Sequence, residues 1–507
     1  MFNLAAALLD PHLEAGRGGR TAYRYEGDTI TYAEIADLVA RTGVGLRRLG
    51  VDVEERVALL LPDSPQFVAS FLGAMRVGAV PVTLSTLLGT DDYAYLLSDC
   101  RARALVVHES VLAKVEPLLD CLPSLRHVVL SGKATRPRAI PFATLTTTPA
   151  EALPPVETTE DDMAFWQYSS GTTGRPKAVV HLHGNAYRPA DLHGRTVAGI
   201  TPDDRLFSVP KLFFSFGLNN SCVFPLRHGA SAVLLADRPD PRLVLDTIAR
   251  ERPTILYHVP TGYAGILAAV EAGAPADLSS VRTCISAGEA LPAPIFERWK
   301  ARFGLEILDG IGSTEIGYIC ISNMPGRVRP GTSGEVIPGY EAIVLREDGS
   351  PADPGEVGDL LVRGPSTAAF YWRKRQATKH TFRGEWVFTG DRYAVDADGY
   401  FTYHGRSDDM IRVSGLWVSP IEVEAALLRH PAVREAAVVA RTDENGLVRP
   451  CAYVVPSARP TGALAAELLA FASEALSAYK HPKWVEFLTE LPKTSTGKVQ
   501  RFKLRRP

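Results

Sequence analysis

The chain has 507 residues, 46% of them apolar, and a formal net charge of −2. That length holds roughly two to four domain-sized cores, and the balanced charge gives no reason to expect nucleic acid or an anionic membrane as partner. No apolar run approaches membrane-spanning length, and Asp10 interrupts a start that lacks the basic residues of a signal peptide.

In chain order, Thr31 precedes Tyr32, Ile35, Leu38 and Val39, apolar at helical spacing. Residues 57–61 form a short apolar run closed by Pro62-Asp63, as a buried parallel strand should, and Ser64 then caps a helix over 65–77. Strand-like runs follow at 80–84, 105–107, 128–130, 232–235, 255–259 and 283–286; the Pro/Thr-rich stretch 131–160 reads as a surface connection. Apolar strands separated by amphipathic helices predict parallel sheets layered with helices. Over 331–403 the texture changes to short β-rich pieces punctuated by Gly, Pro and Asp, predicting a small barrel-like subdomain. From Ile421 the pattern is again mixed α and β, with a helix to Leu428, strands over 436–440 and 450–455 and a helix over 464–478. The expectation is an α/β chain with a large N-terminal domain (1–407) and a small C-terminal α/β domain (408–507).

The six cysteines are scattered without a Cys-x-x-Cys pair, which fits a reduced, cytoplasmic compartment. Neither His-Glu-x-x-His nor Gly-x-Ser-x-Gly occurs, so metallohydrolase and serine-hydrolase chemistry lack their parts. The most informative segment runs from Tyr168 to Asn185. Ser169, Ser170, Gly171, Thr172, Thr173 and Gly174 lead through Arg175-Pro176 to Lys177 and an apolar run. Glycines admit close backbone approach to an anion, amides and hydroxyls donate to its oxygens, and a lysine adds charge. This is the chemistry of a phosphate-gripping loop, although the spacing is not that of a P-loop NTPase. Taken alone, the segment also reads as a surface turn between strands.

Further motifs follow in order. They are Ser286-Ala287-Gly288-Glu289, the run Asp309-Gly310-Ile311-Gly312-Ser313-Thr314-Glu315, Phe388-Thr389-Gly390-Asp391, Gly405-Arg406-Ser407-Asp408, and Pro492 to Lys498. Together they resemble the acyl- and aryl-CoA synthetase family of adenylate-forming enzymes over essentially the whole chain. The resemblance implies ATP, Mg2+ and CoA as cofactor and co-substrates, and a C-terminal domain that moves about a hinge at Asp408. It implies that the loop 169–177 holds the β- and γ-phosphates, that Thr314 donates to the α-phosphate, and that Glu315 is the magnesium ligand. It puts Asp391 on the ribose hydroxyls with Arg406 close by, and Gly288, Glu289, Asp309 and Gly310 around adenine. Lys498 would be the adenylation lysine, Gly415 and Trp417 would border the path of the pantetheine thiol, and no catalytic base is evident. Taken singly, Glu315 could be a helix-start charge, Asp391 a turn aspartate and Lys498 a solvated lysine.

Within the family, residues 211–220, 309–315 and 414–420 resemble the benzoate-CoA ligase type. Phe213, Phe214 and Phe216 can build a flat apolar slot for an aromatic ring. The implied acid-binding set is Phe214, Ser215, Phe216, His258, Gly310, Tyr318 and Ile319. Phe216 and Tyr318 stand where the type has Tyr and His, and His258 replaces a small residue. These departures point to a ring-substituted acid, with His258 either a core histidine or the partner of a ring substituent. Ala178 replaces a glycine after the loop lysine. The expected partners are a small aryl carboxylate, ATP and CoA, in a monomer or homodimer. A stand-alone enzyme loading a carrier-protein phosphopantetheine arm is the alternative.

Overall fold

The structure, a computed structural model, describes residues 2–147, 154–169, 175–413, 416–444, 447–493 and 499–505. A nine-stranded sheet carries Arg205–Ser208, Ser231–Leu234, Ile255–His258, Thr283–Ser286 and Ile307–Gly312 in parallel at its centre, with antiparallel strands at its edges. An eight-stranded sheet has a parallel centre of Arg56–Leu60, Val80–Thr83 and Ala104–His108. The expected parallel sheets are thus mixed. Lys177–Leu182 runs antiparallel to Met163–Ser169, with Ser169 paired to Lys177.

Local chemistry explains where the helices begin. Thr31 and Glu34 form a reciprocal capping box at the start of Tyr32–Arg48, and the Ser64 hydroxyl accepts from the Phe67 amide at the start of Pro65–Arg76. One large apolar cluster joins residues of both sheets to the helices between them, including Val57, Phe67, Phe165, Leu206, Tyr257 and Ile285. Burying both faces of the sheets in this way is what continuous apolar strands require.

The β-rich stretch is a five-stranded antiparallel sheet built around Glu341–Leu345, Gly358–Arg363, Trp386–Val395 and Phe401–Arg406. Beyond it, Val433–Thr442, Val448–Pro456 and Trp484–Phe487 form a three-stranded sheet covered by the helices Pro420–Leu427 and Leu464–Ala475. This last region has its own apolar clusters, separate from the large one. The connection at 131–160 is less irregular than expected, since it includes the short strand Ile140–Pro141 and the helix Phe142–Thr146. Among the described residues no helix is long and apolar enough to cross a membrane.

Candidate active site

Parallel strands deliver their C-terminal ends to one edge of a sheet, and the motif residues collect there. Ser169 closes one hairpin strand and pairs in register with Lys177, which opens the other. Glu315 follows the strand Ile307–Gly312 of the neighbouring sheet. The Ser169 hydroxyl donates to Glu315 Oε1 at 2.8 Å, and the Tyr371 hydroxyl donates to the same oxygen at 2.8 Å. Lys177 Nζ lies over the Tyr371 ring, 4.3 Å from its centre. Burial pushes the Glu315 carboxyl up, but the bonds from Tyr371 and Ser169 and the charge of Lys177 outweigh it and hold it below the ordinary glutamate value. Glu315 is therefore a half-buried, ionised carboxylate bridging two sheets. Tyr371 was not among the residues singled out from the sequence. It lies 56 positions from Glu315 and reaches it only because the strand Phe370–Tyr371 pairs with the hairpin strand at Val180 and Val179.

The turn from Gly312 to Ile319 holds Thr314 and Glu315 at one end and Tyr318 at the other. Close chain approach demands its glycines. A Cβ on Gly312 would lie 2.2 Å from the Tyr318 carbonyl oxygen, and one on Gly310 would lie 2.6 Å from that of Ile321. The Ser215 hydroxyl donates to the Gly317 carbonyl at 2.9 Å, and Asn219 Nδ2 donates to Gly317 at 3.2 Å and to Ser215 at 2.9 Å. The segment with Phe214, Ser215 and Phe216 is thereby fastened to the turn that carries Thr314 and Glu315.

An aromatic group adjoins this fastening. The half-buried Phe216 ring lies 5.6 Å from the Tyr318 ring and meets Tyr257 edge-on at 6.0 Å. Tyr318 is backed by Phe224 and His193, and its hydroxyl donates to Asn220 Oδ1. Ile319 is buried at the start of the return strand, paired with Gly312. The structure places five of the seven expected acid-binding residues on this turn and the segment fastened to it, and Gly310 on the strand that leads into the turn. It turns His258 the other way. Strand residues alternate in facing: Tyr257 packs into the cluster with Tyr318, whereas the His258 ring meets Tyr263 of the cluster on the opposite sheet face. His258 Nδ1 accepts from the Val259 amide at 2.9 Å, and burial lowers the ring to about 3, so the imidazole is neutral. Gly262 makes room for it, since a Cβ there would lie 1.9 Å from the ring.

Asp309 is buried below this edge. Burial raises its carboxyl to about 8, against the lowering effect of Ser286 and of the Leu291 amide, so it is protonated at neutral pH. Gly288, at φ +96, and the half-buried Glu289 follow the adjacent strand Thr283–Ser286. In the β-rich sheet Asp391 and Arg406 face each other across paired strands, with Arg406 Nη1 donating to Asp391 Oδ1 at 3.1 Å and to the Thr389 carbonyl at 2.9 Å. Gly390, at φ +73, leaves room for that guanidinium. Asp408 is exposed, and its carbonyl accepts from Arg505 Nη2 at 3.1 Å. Trp417 Nε1 donates to Glu347 Oε1 at 3.0 Å. Ser170, Gly171, Thr172, Thr173, Gly174, Gly415 and Lys498 lie outside the described residues.

A chain with two mixed sheets, an ionised carboxylate and a lysine at the edge where they meet, and a separate α/β unit at its C-terminus belongs to the AMP-binding enzyme family. The family of AMP-binding enzymes matches residues 12–372, and the C-terminal domain of AMP-binding enzymes matches residues 422–498. The chain is 46% identical to a benzoate–CoA ligase of Thauera aromatica, over 99% of this chain and 96% of that protein. In structure it is similar to the anthranilate CoA ligase AuaEII in complex with anthranoyl-AMP, with a TM-score of 0.95 and 42% identity over 99% and 96% of the two chains. A benzoate CoA ligase from Burkholderia xenovorans LB400 matches with a TM-score of 0.93 and 43% identity, covering 100% of both chains.

Proposed function

We propose that the protein is an AMP-forming aryl-CoA ligase. It activates benzoate or a ring-substituted benzoate with ATP, releases pyrophosphate, and passes the aryl group to the CoA thiol. One observation carries this reading: a single turn, 313–318, bears the ionised Glu315 at its start and the aromatic wall of Tyr318 at its end. A phosphate-facing side and a ring-facing side thus meet where a carboxylate would attack phosphorus.

The reacting carboxylate and the α-phosphate are both anions, so their approach needs positive charge and fixed donors. A carboxylate oxygen attacks the α-phosphorus and pyrophosphate leaves. Lys177 and the loop 169–174 are assigned to the β- and γ-phosphates, Thr314 to the α-phosphate, and Lys498 to the reacting carboxylate and phosphate. Asp391 and Arg406 are assigned to the ribose, and Gly288, Glu289, Asp309 and Gly310 to adenine. A magnesium ion fits Glu315, which is held ionised; one protein carboxylate completed by phosphate and water oxygens suits this hard cation. When bound, the metal would offset phosphate charge; Ser169 and Tyr371 keep Glu315 aimed.

In the second half reaction the thiol attacks the aryl carbonyl and AMP leaves. Gly415 and Trp417 are assigned to the thiol's path, and Asp408 to the pivot between an N-terminal domain (1–407) and a mobile C-terminal domain (408–507). The test is ATP–pyrophosphate exchange dependent on a benzoate, followed by AMP release with and without free CoA and no carrier protein. Aryl-CoA formation is the expected result. Octanoate turned over as well as any benzoate would overturn the aryl assignment, and transfer confined to a carrier protein would replace CoA as acceptor.

A further inference from the structure

Beneath Phe216 lies a string of buried polar groups with one loose end. The Tyr318 hydroxyl donates to Asn220 Oδ1, Asn220 Nδ2 donates to Ser208 Oγ at 3.5 Å, and Ser208 Oγ donates to the Pro210 carbonyl at 2.9 Å. Ser208 is the cross-strand neighbour of Tyr257 on the same sheet face. Tyr257 is 0% exposed, and its hydroxyl has no hydrogen-bond partner among the described residues. A buried hydroxyl without a partner is costly, and one that adjoins a ligand site is free to pair with what binds there. The Tyr257 ring meets Phe216 edge-on, and Phe216 is half-buried where Tyr257 is closed off. Tyr257 therefore lies at the inner end of the aromatic group, away from the edge that carries Thr314 and Glu315.

We infer that Tyr257 is a specificity-determining residue, whose hydroxyl pairs with a hydroxyl on the ring edge opposite the substrate carboxylate. The inference rests on the aryl-CoA ligase reading and deepens it, naming para-hydroxylated benzoates, with meta-hydroxylated ones next, as the preferred acids. An unsubstituted ring leaves the Tyr257 hydroxyl unpaired in the bound state, which penalises benzoate relative to its hydroxylated analogue.

The experiment measures kcat/KM for 4-hydroxybenzoate, 3-hydroxybenzoate and benzoate in the wild-type protein, Tyr257→Phe and His258→Gly, with CoA. Tyr257→Phe removes one oxygen that no described protein group engages, so the variant should keep the wild-type melting temperature. Its ratio of 4-hydroxybenzoate to benzoate efficiency should fall by roughly fivefold to tenfold. A ratio within twofold of wild type would overturn the inference while leaving the ligase reading intact. A ratio moved by His258→Gly and not by Tyr257→Phe would also overturn it and return the role to the histidine. Failure of every benzoate to support AMP release in the wild-type protein would remove the ligase reading and the inference with it.

Discussion

The two sides of the proposed cleft are built on different physical terms. On the phosphate side, charged and hydroxyl groups converge from separate sheets: Ser169 and Tyr371 on Glu315, Lys177 over the Tyr371 ring, and Arg406 on Asp391. On the ring side the described walls are aromatic and uncharged, and even the buried His193 is kept neutral, its ring lowered to about 3 by burial. The first side depends on the position of charge and the second on which way a strand residue faces. Chemistry on the phosphate side should therefore respond to isosteric charge changes, and selectivity on the ring side to changes of a single atom.

Lys498→Ala should produce the largest effect. Adenylate formation should fall by about 10² to 10³, while thioester formation from supplied aryl-adenylate persists. Single-turnover rates for each half reaction read this directly, and equal loss in both would mark the lysine as structural. Next, Glu315→Gln keeps the shape while removing the charge. Pyrophosphate exchange should drop by about 10² with the ranking of benzoates unchanged. A reordered ranking would mean that the two sides are not separable.

Tyr371→Phe should cost less, about tenfold in adenylation, the worth of roughly one hydrogen bond to a charged group. Because the Tyr371 bond helps hold the Glu315 carboxyl low, its loss raises that group's pKa. The acid-side fall of the rate should then begin at higher pH than in the wild type, and an unmoved pH profile would detach Tyr371 from Glu315. The smallest effect concerns stability. Burial keeps the proton on Asp309 up to about pH 8, whereas an unfolded aspartate loses it near pH ~4. Between those values the native chain holds the extra proton, so the contribution of this group declines as pH rises. Asp309→Asn has no proton to lose and should gain on the wild type by about 1 kcal/mol for the single step from pH 5 to pH 6. Denaturant midpoints at the two pH values check this, and parallel profiles would mean that Asp309 titrates normally.

The contrast between the two sides also explains what could be read before folding. The strands at 80–84, 255–259 and 283–286 and the helix begun at Ser64 follow from apolar runs and caps, because these preferences act within a few residues. The hairpin at 163–182 was harder, since an apolar run alone does not tell a parallel neighbour from an antiparallel one.

By itself the sequence determined the ordered motifs, and through their resemblance to the family it made Ser169, Lys177, Glu315, Asp391 and Arg406 candidates, because short glycine-spaced segments keep their residue types legible without the fold. It also determined the alternation of strands and helices. Only the tertiary structure decided that Tyr371 holds Glu315, that Asp309 keeps its proton, and that Tyr257 rather than His258 joins Phe216 and Tyr318. The first depends on strand pairing between distant segments, the second on burial from several sides, and the third on facing, which shifts with a strand's register by a single residue.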